Sequence, residues 1–307
     1  MTATAVVGTG GAIGARVAEH LQARPVDFRC QDPRSDRAVP ALADADVVVN
    51  LGGPRVRPGL GWGDYFREHV GVTAAVVRSM RSGARLVHVS STAVYGARGE
   101  KLGPSSREAP TLFPSPAYAC AKLAAEATAR ALAFERGIEI AVLRPSMIYG
   151  PGVDSALSTL RRLHRQGVAV RLVPTAVHQH LVHIDLFLGV IACACTRPLA
   201  RDQGPMLVAD PFALTNDDLT PRRGWGVPLV VDVRVAARAH GAIAHAFGVA
   251  PGALEALAVL GLDNTFDVEP TWRALGIDAS MFGRSETFDA YWGGPHTRAP
   301  ARERTPT

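Results

Sequence analysis

Two residues four apart, Tyr118 and Lys122, offer the clearest chemistry in this chain. They lie in "PSPAYACAKLAAE", in a helical run beginning after Pro116, so both side chains share one helix face. An ammonium beside a phenol stabilises the phenolate and draws a pKa of about 10 toward neutrality. The tyrosine then becomes a general acid or base. The chain has two lysines, at 101 and 122, against 31 arginines, which makes an incidental lysine at this spacing a poor explanation. Upstream, "VHVSSTAVYG" (87–96) reads as a strand ending in hydroxyl residues that could hydrogen-bond a substrate oxygen.

A second motif, a glycine-rich loop, points to a dinucleotide. "VVGTGGAIGARVAEHL" sets Gly8, Gly10, Gly11 and Gly14 between a strand and a helix. Glycines there permit a tight turn and bring backbone N–H groups onto a pyrophosphate. Asp32 follows Gly14 by 18 residues. A carboxylate at that position accepts hydrogen bonds from ribose hydroxyls and repels a 2′-phosphate, which favours NAD. Arg34 and Arg37 offer the opposite reading, a clamp for the 2′-phosphate of NADP.

The elements that must carry these residues alternate between apolar runs and helical stretches, as in a parallel sheet covered on both faces. The expected strands are 5–10, 26–30, 46–51, 85–91 and 138–145, with one more at 205–210. The expected helices are 12–23, 64–82, 117–136 and 154–167. The fold class is therefore α/β, a Rossmann-type doubly wound parallel sheet with a smaller C-terminal substrate domain. We expect 1–150 and 182–210 to form the dinucleotide-binding domain and 151–181 with 211–293 the substrate domain. The proline- and charge-rich tail 294–307 is expected to be disordered. "PRSDRAVPALADA", between Asp32 and Asp46, is too short for a strand plus a helix, so the sheet's edge strand after the second strand should be missing.

The motifs "GTGGAIG", "SSTAVYG", "YACAK" and "LRPSMIYGPG" together resemble the extended short-chain dehydrogenase/reductase family, also called the NAD-dependent epimerase/dehydratase family. The resemblance runs from residue 5 to about 190. It implies a catalytic set of Ser91, Tyr118 and Lys122, with Ser91 chosen because the family's hydroxyl residue precedes the tyrosine of "VYG" (Tyr95) by four. It also implies cofactor contacts from Gly8, Gly10, Gly11, Ala12, Ile13, Gly14, Asp32, Leu51, Gly52, Gly53, Tyr118, Lys122, Pro145 and Ile148. The implied reaction is hydride transfer between a nicotinamide and a secondary alcohol or ketone carbon of a nucleotide-activated deoxysugar or similar hydroxylated metabolite. An epimerase with tightly held NAD is the first alternative. A noncatalytic dinucleotide-sensing protein is the second, and the Tyr–Lys pair argues against it.

Departures from the family narrow the reaction. Thr92 and Ala93 stand where sugar dehydratases carry an Asp-Glu pair, which argues against dehydration. "VHQHLVHID" places His178, Gln179 and His180 where nucleotide-sugar enzymes have an arginine for the diphosphate, leaving Arg171 or the arginines of 161–165 to substitute. His69 replaces a common asparagine, with no evident role.

A net charge of +5 and pI near 9.3 do not imply nucleic acid, because the arginines are scattered and aromatics are 6% of residues. The expected partner is a small anionic or sugar-like substrate, with a homodimer compatible. No metal site is expected, since strand alternation sets His183 opposite His178 and His180. Cys30, Cys120, Cys193 and Cys195 read as packing residues. No signal peptide or apolar span is evident, and the cytoplasm is the expected compartment.

Overall fold

The computed structural model describes residues 2–28, 39–56, 59–96, 101–103, 105–109, 116–200, 203–220, 229–232 and 264–292. The calls on Asp32, Arg34, Arg37, Cys30 and the tail 294–307 fall outside the described residues.

Six parallel strands form the central sheet: β1 (Thr4–Val7), β2 (Arg24–Val26), β3 (Val47–Asn50), β4 (Arg85–Val89), β6 (Glu139–Pro145) and β11 (Met206–Val208), β5 being the two-residue Lys101–Leu102. Their order across the sheet is β11-β6-β4-β3-β1-β2. The chain leaves β1 for one side to make β2 and returns on the other side to make β3. This reversal puts a ligand-binding crevice at the carboxyl end of β1. Valine runs such as Val47 to Val49 are buried because helices cover both faces.

On one face Val72, Val76, Ala129 and Ala133 pack against Ala5, Val48 and Leu86. On the other, Val17, Phe187 and Ile191 pack against Val6, Val87 and Leu143. The first face is covered by α3 (Val72–Ser79) and α4 (Pro116–Arg136), the second by α1 (Ala12–His20) and α6 (Ile184–Thr196). Alanines 121, 125, 129 and 133, all buried, let α4 lie close to the sheet.

The second strand departs from expectation. It spans Arg24–Val26 rather than 26–30, pairing Ala5 with Arg24, Val6 with Pro25 and Val7 with Val26, and Asp27 and Phe28 already lie beyond it. A proline inside a strand is tolerated at an edge, where its missing N–H faces no partner. Among the described residues β2 is the edge. Residues 39–45 contain a 3-10 turn, Pro40–Leu42, and no strand, while the rest of the proposed gap falls on residues outside the description. The expected helix 64–82 is an α2 segment (Trp62–Phe66), a π-helical turn (Arg67–Gly71) and α3 in succession.

A separate apolar cluster gathers Tyr149 of β7 (Met147–Tyr149), Leu157 and Leu160 of α5 (Ala156–Arg165), Leu172 of β8 (Val170–Val173), and Phe288 and Tyr291. β7 pairs in parallel with β10 (Leu181–His183), β9 being His178–Gln179.

Candidate active site

The glycine loop sits at the sheet's reversal point. Gly8 has φ +94°, and a Cβ there would lie 2.9 Å from the Leu51 carbonyl carbon. A Cβ on Gly14 would collide with the Gly8 oxygen, so α1 can approach its strand this closely only without a side chain. Gly11 caps α1 without a side-chain hydrogen bond, and no acid occupies the first turn. The helix's first N–H groups are thus left to an anion, which fits the pyrophosphate of a dinucleotide. Leu51, Gly52 and Gly53 follow β3 directly against this loop. Pro145, ending β6, and Ile148 on β7 stand at the same carboxyl edge of the fold.

An acid missed from sequence lies beside the loop. Asp27 immediately follows β2, and its Oδ1 is 3.1 Å from where a Cβ of Gly10 would stand. The short β2 brings Asp27 to the glycines.

Tyr118 and Lys122 share a face of α4, as their spacing requires. Lys122 is 6% exposed, donates to the Val89 carbonyl at 3.0 Å, and lies 5.9 Å from the centre of the Tyr118 ring. Ser91, just past β4, accepts a 3.1 Å hydrogen bond from the Ala93 N–H, and its hydroxyl is near enough to the Tyr118 phenol to favour ionisation. The three residues therefore converge at the carboxyl end of β4.

The electrostatics differ from expectation. Burial pushes the Tyr118 phenol up to about 12, outweighing the Ser91 hydrogen bond that favours ionisation. Burial also drives Lys122 down to about 8, against the attraction of Glu126. In the protein alone, desolvation thus dominates over any lowering of the phenol by its lysine neighbour.

His69 and Tyr65 complete the pocket. Their rings are parallel within 6° at 6.2 Å, and Tyr118 meets both edge-on, at 5.4 Å from His69 and 5.8 Å from Tyr65. This pair clamps the Tyr118 ring. Gly53, at φ +111°, leaves the space its Cβ would fill to the His69 imidazole. His69 is 1% exposed, and neither ring nitrogen has a hydrogen-bond partner, although the Gly52 and Pro54 backbones are near. Burial, reinforced by Lys122, lowers it to about 2, so it stays neutral. Its departure from the family's asparagine was the sequence signal. Its role required the ring geometry.

Deeper down, Arg144 anchors α4. Its guanidinium, 2% exposed, donates to both Glu126 oxygens at 3.0 and 2.7 Å, to Glu108 at 2.8 Å and to the Tyr95 hydroxyl at 2.7 Å. Glu126 lies one turn beyond Lys122, so this buried ion pair fixes the helix face that carries Tyr118 and Lys122. Gln179, one of the three residues expected to stand in place of a diphosphate arginine, is buried and donates to Asn216 at 2.9 Å. It is unavailable to a substrate. His178 is exposed, and the His180 ring accepts from the Phe266 N–H. Among the described residues no group of three or more His, Cys, Asp or Glu is placed to hold a metal ion, and no helix is long and apolar enough to cross a membrane.

The comparisons agree with this architecture. A UDP-glucose 4-epimerase of Vibrio cholerae is 30% identical over 127 residues, 41% of this chain and 38% of that protein, so the match spans well under half the relative's length. MoeE5, solved with UDP-glucose and NAD, superposes with a TM-score of 0.68 at 21% identity, covering 95% of this chain and 97% of its own. A UDP-glucuronic acid 4-epimerase of Bacillus cereus, solved with NAD, gives 0.66 at 15% identity over 95% and 96% of the two chains. The human epimerase family protein SDR39U1, solved with NADPH, gives 0.69 at 15% identity over 95% and 100%. The model of the NAD dependent epimerase/dehydratase family matches residues 4–185, more than half the chain, and this protein belongs to that family.

Proposed function

We propose that this chain is an NAD-dependent oxidoreductase acting on a secondary alcohol or ketone carbon of a nucleotide-activated sugar or similar hydroxylated metabolite. The observation that carries the reading is the convergence of Ser91, Tyr118 and Lys122 at the carboxyl end of β4, next to the glycine loop. NADH, held by Gly8 to Gly14, Leu51 to Gly53, Pro145 and Ile148, would supply the hydride and be left as NAD. Tyr118, whose phenol remains protonated at neutral pH, gives its proton to the substrate oxygen. Ser91 hydrogen-bonds that oxygen, and the Lys122 ammonium stabilises the phenolate left behind. Asp27, beside Gly10, would accept hydrogen bonds from the adenosine ribose hydroxyls and repel a 2′-phosphate, favouring NAD over NADP. The described parts of 151–181 and 211–293 would supply the substrate side of the site.

A protonated phenol suits reduction of a ketone better than oxidation of an alcohol, which favours a reductase. The epimerase reading rests on the Vibrio relative. Cofactor content of the freshly purified protein separates them, since an epimerase that recycles its cofactor retains it and a reductase releases it. The central test is Tyr118→Phe. Turnover should fall by roughly 10²–10⁴-fold while NAD binding stays within about threefold of wild type. Undiminished turnover would remove Tyr118, and the proposed chemistry with it.

A further inference from the structure

An exposed ion pair crosses the carboxyl edge of the central sheet from one face to the other. The loop after β3 lies on the α3 face, where a Cβ on Gly52 would collide with Val72 and one on Gly53 with His69. The turn after β7 lies on the opposite face. Its Val153 is 5% exposed and packs in the same cluster as Val17 of α1 and Ile184 of α6. Arg55, in the first loop, reaches Asp154, just past the turn, although 99 residues separate them. One guanidinium nitrogen stands 2.7 Å from the Asp154 carboxylate, and the other donates to the Asp154 main-chain carbonyl at 3.0 Å.

The turn is anchored independently of this contact. Arg16 of α1 donates to the Pro151 carbonyl and lies 3.5 Å from Asp185, in the first turn of α6. The Val153 N–H closes the turn on the Gly150 carbonyl at 3.2 Å, and a Cβ on Gly150 would lie only 2.7 Å from Ile184. The turn is therefore a fixed post, and Arg55 reaches it from the far side. Between the two arms lies the glycine loop, with Leu51 packed on Gly8 at one side and Arg16 beside Gly152 at the other.

We propose that Arg55 and Asp154 are a positioning pair that closes over the bound dinucleotide and sets how long it stays. The proposal rests on the dinucleotide reading above. A dinucleotide with its pyrophosphate at the start of α1 and its nicotinamide beside Ser91 and Tyr118 runs along the carboxyl edge, beneath the bridge between the arms. Its release requires Arg55 and Asp154 to part. The strength of the contact suits that task. Two bonds from one guanidinium define the closed geometry, yet the side chains are 66% and 68% exposed, so the pair is weak, screened by salt and readily opened. A reductase must open this strap at every turnover, whereas an epimerase keeps it shut between its two hydride transfers.

Stopped-flow displacement of NADH by excess NAD, followed by nicotinamide fluorescence on the full chain, tests the proposal. Arg55→Met and Asp154→Asn should each speed release by about two- to fivefold at low salt. The double variant should release no faster than either single one, because both substitutions break the same contact. Exchanging the charges, with Arg55→Asp and Asp154→Arg together, should recover most of the change. Added salt should speed release from wild type and leave the variants nearly unaffected. Arg273→Met, which removes an exposed pair with Glu269 elsewhere, should release NADH at the wild-type rate. Wild-type release from both single variants, or additive effects in the double, would overturn the proposal. Faster release from Arg55→Met alone would also overturn it, since the arginine would then hold the cofactor's phosphates directly. In each of these cases NADH still binds and the dinucleotide reading stands; failure of wild type to bind NADH at all would remove both together.

Discussion

Replacing Lys122 by methionine should make the protein more stable while destroying its activity. The fall of the ammonium from 10.5 to about 8 is a cost of keeping the charge buried, about 3 kcal/mol at pH 7 at roughly 1.4 kcal/mol per unit. Methionine has a similar length and carries no charge. It loses the bond to the Val89 carbonyl, worth about 1 kcal/mol, so a net gain of about 2 kcal/mol remains. In a chain of this size that is a rise in Tm of roughly 3 °C.

The pH dependence follows from the sign of the shift. Below pH 8 the lysine is charged in both folded and unfolded chains and the whole penalty applies. Between about 8 and 10.5 the unfolded chain binds the extra proton, so wild-type stability rises with pH. At pH 9.5 the penalty falls to about 1 kcal/mol, comparable with the lost hydrogen bond, and the two proteins should melt together. Thermal or urea melts of both at pH 7.0 and 9.5, with NADH binding and turnover measured alongside, provide the assay. A variant less stable than wild type at pH 7, or a stability gap that does not close with pH, would refute the reasoning.

The clamp on Tyr118 predicts that His69→Ala lowers kcat by roughly 10–100-fold with little change in KM, through misplacement of the phenol. Difference titration of the phenol, wild type minus Tyr118→Phe, should move from about 12 toward the ordinary 10, and His69→Phe, which keeps a ring, should restore both; an unshifted titration would make His69 merely a packing residue. For cofactor choice, Asp27→Ser should reduce the preference for NAD over NADP by about tenfold, whereas Asp32→Ser should not; the reverse result would return the ribose contact to Asp32.

Much of the catalytic arrangement is written locally. The i, i+4 spacing of Tyr118 and Lys122 survives in any helix, and the glycines of 8–14 are required by the tight turn wherever the strand and helix meet. Valine runs bounded by turn residues read as buried parallel strands for the same reason, because their burial on both faces leaves no alternation to interpret. These features depend on neighbours within one turn or one strand, which the sequence contains.

Other properties arise only when distant segments meet. The acid beside the glycines is Asp27 because β2 is placed by pairing with β1, and Pro25 is admissible because that strand is an edge. Arg144 becomes the centre of a buried ion pair because β6, α4 and the segment around Tyr95 close over it. His69 faces Tyr118 because a π-helical turn and the missing side chain of Gly53 make room for it. The proton affinities of Tyr118 and Lys122 are decided in the same way. Spacing puts the two groups side by side, but desolvation depends on every atom that displaces water from them. That is a property of the closed pocket and not of the helix that carries both residues.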